Sequence, residues 1–155
     1  MGYIKKYAAA LAAVGLMVGM ATSARASFST IGDYSASGTG QGGILLSARV
    51  LFEYDSSASL LRVTLWNTAT SDVVAPGDVL TAVFFDIDPN TTTLTRQSAA
   101  LNAGSVVLWG LDGGGNVGGE WAYKAGLSGA PANAALGLSS IGAGLFGPGD
   151  VFDPN

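Results

Sequence analysis

The feature that most constrains the fold is a regular alternation of apolar and polar side chains in two neighbouring segments. Ile44–Tyr54 places an apolar side chain at every even position, and Leu61–Trp66 alternates again after the Ser-rich turn at Asp55–Ser59. A period of two is typical of a β-strand with one buried face. The two segments are therefore predicted to form a β-hairpin.

The alternation also predicts the register of this hairpin, because a slip by one residue would turn every buried side chain to the wrong face. The predicted pairs on the buried face are Tyr54 with Leu61, Phe52 with Val63, and Val50 with Leu65. On the outer face, the same register pairs Glu53 with Arg62 and Arg49 with Trp66. The first outer pair joins opposite charges and the second is a cation–π contact.

Further β-like segments follow, separated by turns rich in Gly, Pro, Asn and Asp. The predicted strands are Val79–Ile87, Thr91–Arg96, Ser105–Leu111, Gly119–Ala125 and Ser139–Phe146. The first of them is apolar on both faces, which predicts a central strand covered on both sides. About six to eight short strands without a long helical pattern predict an all-β fold, a β-sandwich of antiparallel strands.

The N-terminal segment, residues 1–26, has the pattern of a signal peptide. Lys5 and Lys6 precede an uncharged apolar run from Ala8 to Met20, and Ala24-Arg25-Ala26 supplies the small residues that signal peptidase accepts. We expect cleavage before Ser27 and no stable membrane span in the mature chain. Within that chain, residues 27–43 are expected to form a flexible Gly/Ser-rich lead-in and residues 44–155 one β-sandwich domain.

Composition excludes several classes of function. The chain has no cysteine and no histidine, which excludes Ser-His-Asp and Cys-His triads and His-ligated zinc. Three of the seven basic residues lie in the predicted signal peptide. Residues 27–155 therefore contain four basic and eleven acidic residues, which gives a net charge of −7. Because nucleic acid is bound mainly by Lys and Arg at phosphates, we expect no nucleic-acid partner.

One group of oxygen-bearing side chains follows the predicted central strand. Asp86, Asp88 and Asn90 form an Asp-x-Asp-x-Asn series, which matches the opening of a Ca²⁺-binding loop. Thr91 stands where such a loop needs glycine, and Gln97 stands where it needs a bidentate glutamate. The alternative interpretation is that these residues end a strand and begin an Asx/Pro turn. Ca²⁺ is the only cofactor that the sequence suggests.

Aromatic residues offer a second candidate site. Trp66, Trp109, Trp121 and Tyr123 are candidates for a sugar-stacking platform, and the alternative interpretation is that they pack in the core. Trp66 is the best candidate for ligand binding, because the hairpin register places it away from the core. A platform of this kind would make extracellular polysaccharide a partner.

The tetrapeptide Pro-Gly-Asp-Val occurs twice, at 76–79 and at 148–151. We interpret it as a turn that starts a strand, with a type II turn over Ala75–Asp78. The second copy is followed by only four residues, so we expect that the domain is truncated and that one sheet edge is left open.

Three segments resemble exosortase-dependent (PEP-CTERM) surface proteins of Gram-negative bacteria. They are Gly77–Ile87, Gly118–Lys124 and Gly144–Asp153. The resemblance implies export, sorting to the cell envelope, and a role in extracellular matrix or biofilm. The chain lacks the family's Pro-Glu-Pro box, its C-terminal hydrophobic helix and its terminal Arg cluster, so we expect either a lost tail or a protein secreted without an anchor.

The favoured function is that of an exported, non-enzymatic protein with a structural or adhesive role, secreted or held on the outer cell surface. Signal peptidase is its expected partner during export. The first alternative is a carbohydrate- or Ca²⁺-binding module. The second is a hydrolase that depends on carboxylates, because any enzymatic chemistry in this chain must do without histidine.

Overall fold

The computed structural model describes residues 27–72, 75, 78–88, 94–105, 115–140 and 144–152. This part of the chain is all-β and forms two antiparallel sheets of three strands each. The strands are β1 (Ser29–Thr39), β2 (Leu45–Asp55), β3 (Leu60–Asn67), β4 (Ala82–Phe85), β5 (Ala122–Ala125) and β6 (Leu136–Ser139). Short 3-10 turns lie at Gln41–Gly43, Pro131–Asn133 and Pro148–Asp150.

The first sheet has the order β1-β2-β3, and its β2–β3 hairpin has the register predicted from the alternation. Phe52 faces Val63, and the two predicted outer pairs both form. The Arg62 Nε atom donates a hydrogen bond of 2.8 Å to a carboxylate oxygen of Glu53. The register is therefore confirmed, including the side-chain pairs that follow from it.

The prediction of a flexible lead-in over residues 27–43 is wrong for the residues of β1. Ser29–Thr39 does not form a flexible segment but pairs with β2 along nearly its whole length. All of its side chains except the Gly32 position are exposed, so its sequence carries no burial pattern. β1 is ordered by backbone hydrogen bonds to β2, the strand that the alternation predicts.

A register shift between Thr30 and Gly32 makes an irregularity of the β-bulge kind in β1. Just beyond it, the Tyr34 ring lies so close over Gly32 that a Cβ atom there would be 2.6 Å from a ring carbon. The same ring meets Phe52 edge-on, with 6.1 Å between ring centroids. Gly32 thus lets Tyr34 fold back onto the sheet.

The second sheet has the order β4-β6-β5, which corrects two predictions. Of the predicted central strand Val79–Ile87, only β4 is a strand, and among the described strands it pairs with β6 alone. The predicted last strand Ser139–Phe146 shares only Ser139 with β6, which occupies the middle of the sheet. Residues 140 and 144–146 form no strand, and residues 141–143 lie outside the described part of the chain. The prediction for Gly119–Ala125 is confirmed for the four residues of β5.

The two Pro-Gly-Asp-Val copies make the same backbone contact. The Asp78 N–H donates to the Ala75 carbonyl at 3.0 Å, and the Asp150 N–H donates to the Gly147 carbonyl at 2.9 Å. After the second turn, Val151 forms a β-bridge with Ala122 of β5. The second copy is a turn that leads into the edge of the second sheet, whereas Pro76 and Gly77 of the first copy lie outside the described residues.

The core joins the two sheets. Its buried centre is Tyr123, Leu136 and Leu138 of the second sheet, and Val63 of β3 packs against it. The Phe52 and Phe85 rings lie 5.1 Å apart between centroids, one from each sheet. These contacts place the two sheets against each other, while a complete β-sandwich stays a prediction.

Several predictions lie outside the described residues. They concern the signal peptide at 1–26, the strand at Ser105–Leu111 beyond Ser105, and residues 91–93 of the strand at Thr91–Arg96. Within the described part, residues 94–99 form no strand. No helix in that part is long and apolar enough to cross a bilayer.

Candidate functional site

The outer side of the first sheet carries a group of polar side chains that we call the polar face. It consists of Asp33, Ser37, Ser47, Arg49, Trp66 and Thr68. The strand residues share one side because side chains alternate along each strand and the register aligns Ser37 with Ser47 and Arg49 with Trp66. Thr68, just beyond β3, joins them through a hydrogen bond of 2.9 Å from its hydroxyl to that of Ser47.

Arg49 is the centre of the polar face. Its Nε and Nη2 atoms donate to the two carboxylate oxygens of Asp33 at 2.8 and 2.6 Å, a bidentate pair across β1 and β2. The hydrogen bonds from Arg49 hold the pKa of Asp33 below its usual value. Both side chains are exposed, so the pair fixes the orientation of the guanidinium more than it stabilises the fold.

Trp66 lies under this guanidinium, with Arg49 Cζ 5.0 Å from the ring centroid. The ring was expected to be exposed, and the structure corrects this: it is half-buried and has Arg49 over one face. A cation over an indole ring is attracted to the ring's negative face. The ring is therefore held in one orientation on the polar face.

A shallow, open cavity of about 430 Å³ continues the polar face toward the β1–β2 connection. Its lining comes from three segments, residues 37–39, 45–47 and 68–70. Ser37, Thr39, Ser47, Thr68 and Thr70 bring hydroxyl groups to it. Hydroxyls both donate and accept hydrogen bonds, so this groove suits a ligand that is itself rich in hydroxyl groups.

The predicted Ca²⁺ ligands are not brought together by the described residues. Asp86 follows β4, and its Oδ1 atom accepts a hydrogen bond of 2.8 Å from the Ala135 N–H. This contact continues the β4–β6 ladder, in which Phe85 faces Leu136. Asp88 is exposed, and Asn90 lies outside the described residues, so the Ca²⁺ site stays a prediction.

The other aromatic candidates do not join Trp66. Tyr123 is buried in the core and Trp121 packs against it, so these two follow the alternative interpretation of core packing. Trp109 lies outside the described residues. In the part of the chain that the structure describes, no three His, Cys, Asp or Glu side chains are grouped to hold a metal ion.

Two aspartates predicted only as turn residues make long-range or buried contacts. Asp78 Oδ1 accepts a hydrogen bond of 3.1 Å from the Gln41 N–H, which links the segment before β4 to the β1–β2 connection. Asp55 ends β2 and is only 1% exposed. Asp and Ser are common in turns for local reasons, so nothing in the sequence separates these two from ordinary turn residues.

No protein-family model matches the chain, and no curated protein or solved structure is significantly similar to it.

Proposed function

We propose that this chain is an exported, non-enzymatic protein of the cell surface or extracellular matrix, and that its polar face contacts polysaccharide. The observation that carries the proposal is the arrangement of Asp33, Arg49 and Trp66 beside the hydroxyl-lined groove. An ordered aromatic ring supplies an apolar surface for a sugar ring, and the charged and hydroxyl groups around it supply hydrogen bonds. Such a surface supports a structural or adhesive role.

The carboxylates of this sheet favour binding over hydrolysis. A glycosidase places two carboxyl groups on opposite sides of the scissile bond, about 5–9.5 Å apart across a cleft. Here Asp33 is held by Arg49, and Glu53 is held by Arg62, so each carboxyl group is already engaged in an ion pair. Both arginines lower the pKa of their partner carboxyl groups, so neither carboxyl group is prepared to donate a proton near neutral pH.

Export is supported by sequence. The charged, apolar and small-residue segments of residues 1–26 occur in the order that signal peptidase requires. The resemblance of Gly77–Ile87, Gly118–Lys124 and Gly144–Asp153 to PEP-CTERM proteins points to the same location, outside a Gram-negative cell. A protein there meets polysaccharide as a major component of its surroundings.

A neutral polysaccharide is the appropriate ligand to test, because a net charge of −7 for residues 27–155 repels acidic polymers. We expect the protein to be retarded in a native gel that contains a soluble neutral β-glucan. Trp66→Ala should weaken binding roughly tenfold, equivalent to about 1.4 kcal/mol, because the stacking surface is lost.

Tyr54→Ala is the matched control for this experiment. Tyr54 is an aromatic residue of the same sheet that is 40% exposed and points to the opposite side from Arg49. The Tyr54→Ala variant should be retarded as strongly as the wild type. Circular dichroism verifies that both variants are folded. Equal retardation of all three proteins, or none of the wild type, would contradict a polysaccharide site on the polar face.

A further inference from the structure

A buried carboxylate without a cation lies beside the first residue that the structure describes. Asp55 is 1% exposed, and no Lys or Arg among the described residues forms an ion pair with it. Its Oδ1 atom is fully used, since it accepts hydrogen bonds from the Ser57 N–H at 2.8 Å, the Ser57 hydroxyl at 2.6 Å and the Ala58 N–H at 3.2 Å. Its Oδ2 atom is buried and has no hydrogen-bond partner in the described part of the chain.

An ionised carboxylate in this position is normally paired, because a buried charge without a partner is costly. The hydrogen bonds of Asp55, those from Ser57 first, lower the pKa of this carboxyl group, so it is charged at neutral pH. The Oδ2 atom is thus a negative group that lacks a donor, and a positively charged donor would suit it best.

The start of the described chain is placed next to this group. Ser29 faces Tyr54 in the β1–β2 register, so one further step along the two strands aligns Phe28 with Asp55. Phe28 is fixed there by Arg62, whose Cζ atom lies 3.9 Å from the ring centroid. The Ser27 N–H is near enough to the carboxylate to contribute to its lowered pKa, although it does not complete a hydrogen bond to Oδ2.

We propose that Asp55 is the acceptor for the α-ammonium group that forms at Ser27 when the bond between Ala26 and Ser27 is cleaved. Hydrolysis of this peptide bond consumes one water and leaves a carboxylate on Ala26 and an ammonium group on Ser27. That group carries three donors and one positive charge where the amide has one donor and no charge. The inference rests on the proposed export, because the cleavage is that of the signal peptide.

The pairing gives removal of the leader a structural consequence. Before cleavage, the buried carboxylate faces a neutral amide, and afterwards it faces a cation. Processing therefore completes the end of the first sheet and anchors β1, whose side chains bury almost nothing themselves. The mature protein is more stable than the precursor for this reason.

The test exports the full chain from a Gram-negative host in four forms and purifies the processed proteins. They are the wild type, a variant with one alanine inserted after Ala26, Asp55→Asn, and the combination of both changes. The insertion keeps Ala-Arg-Ala in place but moves the new amino group one residue away from Asp55. Asparagine retains an oxygen for the Ser57 bonds while it removes the charge.

We expect intact mass to show Ser27 as the first residue of the wild type. The insertion should lower the melting temperature when Asp55 is present and have little effect when it is combined with Asp55→Asn, because the two changes remove one interaction. Equal effects in both backgrounds, no effect of the insertion, or a first residue other than Ser27 would overturn the pairing. Export and polysaccharide binding are scored separately, so a failure of the proposed function is distinguishable from a failure of this inference.

A second measurement needs no change at Asp55. The α-amino group of the wild type should react with an acylating reagent about tenfold more slowly than that of the insertion variant, as for a one-unit rise in its pKa. The difference should disappear in denaturant. Equal reactivity of the two folded proteins would refute the pairing even if Asp55→Asn fails to fold.

Discussion

Gly137 lies in the middle strand of the second sheet, and its lack of a Cβ atom is required by the packing around it. A Cβ atom there would lie 2.9 Å from Leu127 Cδ1 and 3.0 Å from ring atoms of both Phe84 and Phe146. The two rings themselves are in contact, with 6.4 Å between centroids. The absence of a side chain at this position therefore lets two aromatic residues and a leucine close over β6.

Gly137→Ala should lower the free energy of unfolding by about 1–3 kcal/mol, the usual cost of an added methyl group in a packed site. Gly149→Ala is the matched control, because a Cβ atom at Gly149 has open space around it and should change stability by less than about 0.5 kcal/mol. Urea denaturation measures both. A Gly137→Ala protein as stable as the control would show that the rings do not close over this strand.

Individual site residues were predictable where one pattern specified them and unpredictable where a distant partner did. The contact of Arg49 with Trp66 follows from alternation within one hairpin. The bidentate bond from Arg49 depends on Asp33 of β1, a strand that has no apolar period. Asp86 illustrates the same limit, since its partner is a backbone N–H in a loop 49 residues away.

At the scale of elements, the β2–β3 hairpin could be predicted from the sequence and β6 could not. The β2–β3 register is specified locally, because the buried face permits only one alignment. β6 contains a buried glycine that weakens its strand pattern, and its position is decided by neighbours on either side, β4 and β5. A strand defined by its neighbours cannot be located from its own residues.

The second Pro-Gly-Asp-Val turn is an element held together by charge. Asp150 Oδ2 accepts a hydrogen bond of 2.8 Å from the Gly147 N–H and lies 3.4 Å from Lys124 Nζ. Arg96 Nη1 donates to the carbonyl oxygens of Gly149 and Val151, each at 2.7 Å. The turn that leads into the sheet edge is thereby connected to two other parts of the chain.

This arrangement predicts how stability changes with pH. The Gly147 bond first, and the nearby cations after it, lower the pKa of Asp150 in the folded chain. A carboxyl group with a lowered folded-state pKa stabilises the fold above its ordinary pKa, and this contribution is lost as the pH falls below about 4 toward the folded-state value. The melting temperature should therefore fall on acidification in that range.

Asp150→Asn should reduce that fall, so that the variant and the wild type approach each other in melting temperature as the pH falls from about 7 to about 3. Asp72→Asn serves as the control, because Asp72 is exposed and makes no ion pair within the described residues. It should follow the wild type at every pH. Parallel curves for Asp150→Asn and the wild type would show that Asp150 does not contribute to the acid sensitivity.

At the scale of the whole molecule, side chains of the described strands bring the two sheets into contact. Phe52 and Phe85 form the ring contact between them, and Val63 packs against the buried centre of the second sheet. The all-β class was predictable because strand periods and turn residues recur along the chain. Which faces meet depends on contacts between residues far apart in sequence, and no local pattern encodes those.

A double-mutant cycle tests this meeting of the sheets. Phe52→Leu and Phe85→Leu should show a coupling free energy of about 0.5–1.5 kcal/mol, as expected for two rings in contact. Phe84 is the matched control, because it points to the other side of β4 and packs against Phe146. Phe52→Leu and Phe84→Leu should be additive, and additivity of the Phe52–Phe85 pair as well would contradict packing of the sheets through these rings.

The outward edge of β1 has a consequence for encounters between molecules of this chain. No described strand pairs with that edge, so its backbone groups offer a template on which a strand from another molecule could grow. The shift between Thr30 and Gly32 interrupts the template, and the charge of Asp33 follows directly after it. An incoming strand would find an even ladder only from Tyr34 to Thr39, so the irregularity shortens the part of β1 on which another molecule could pair.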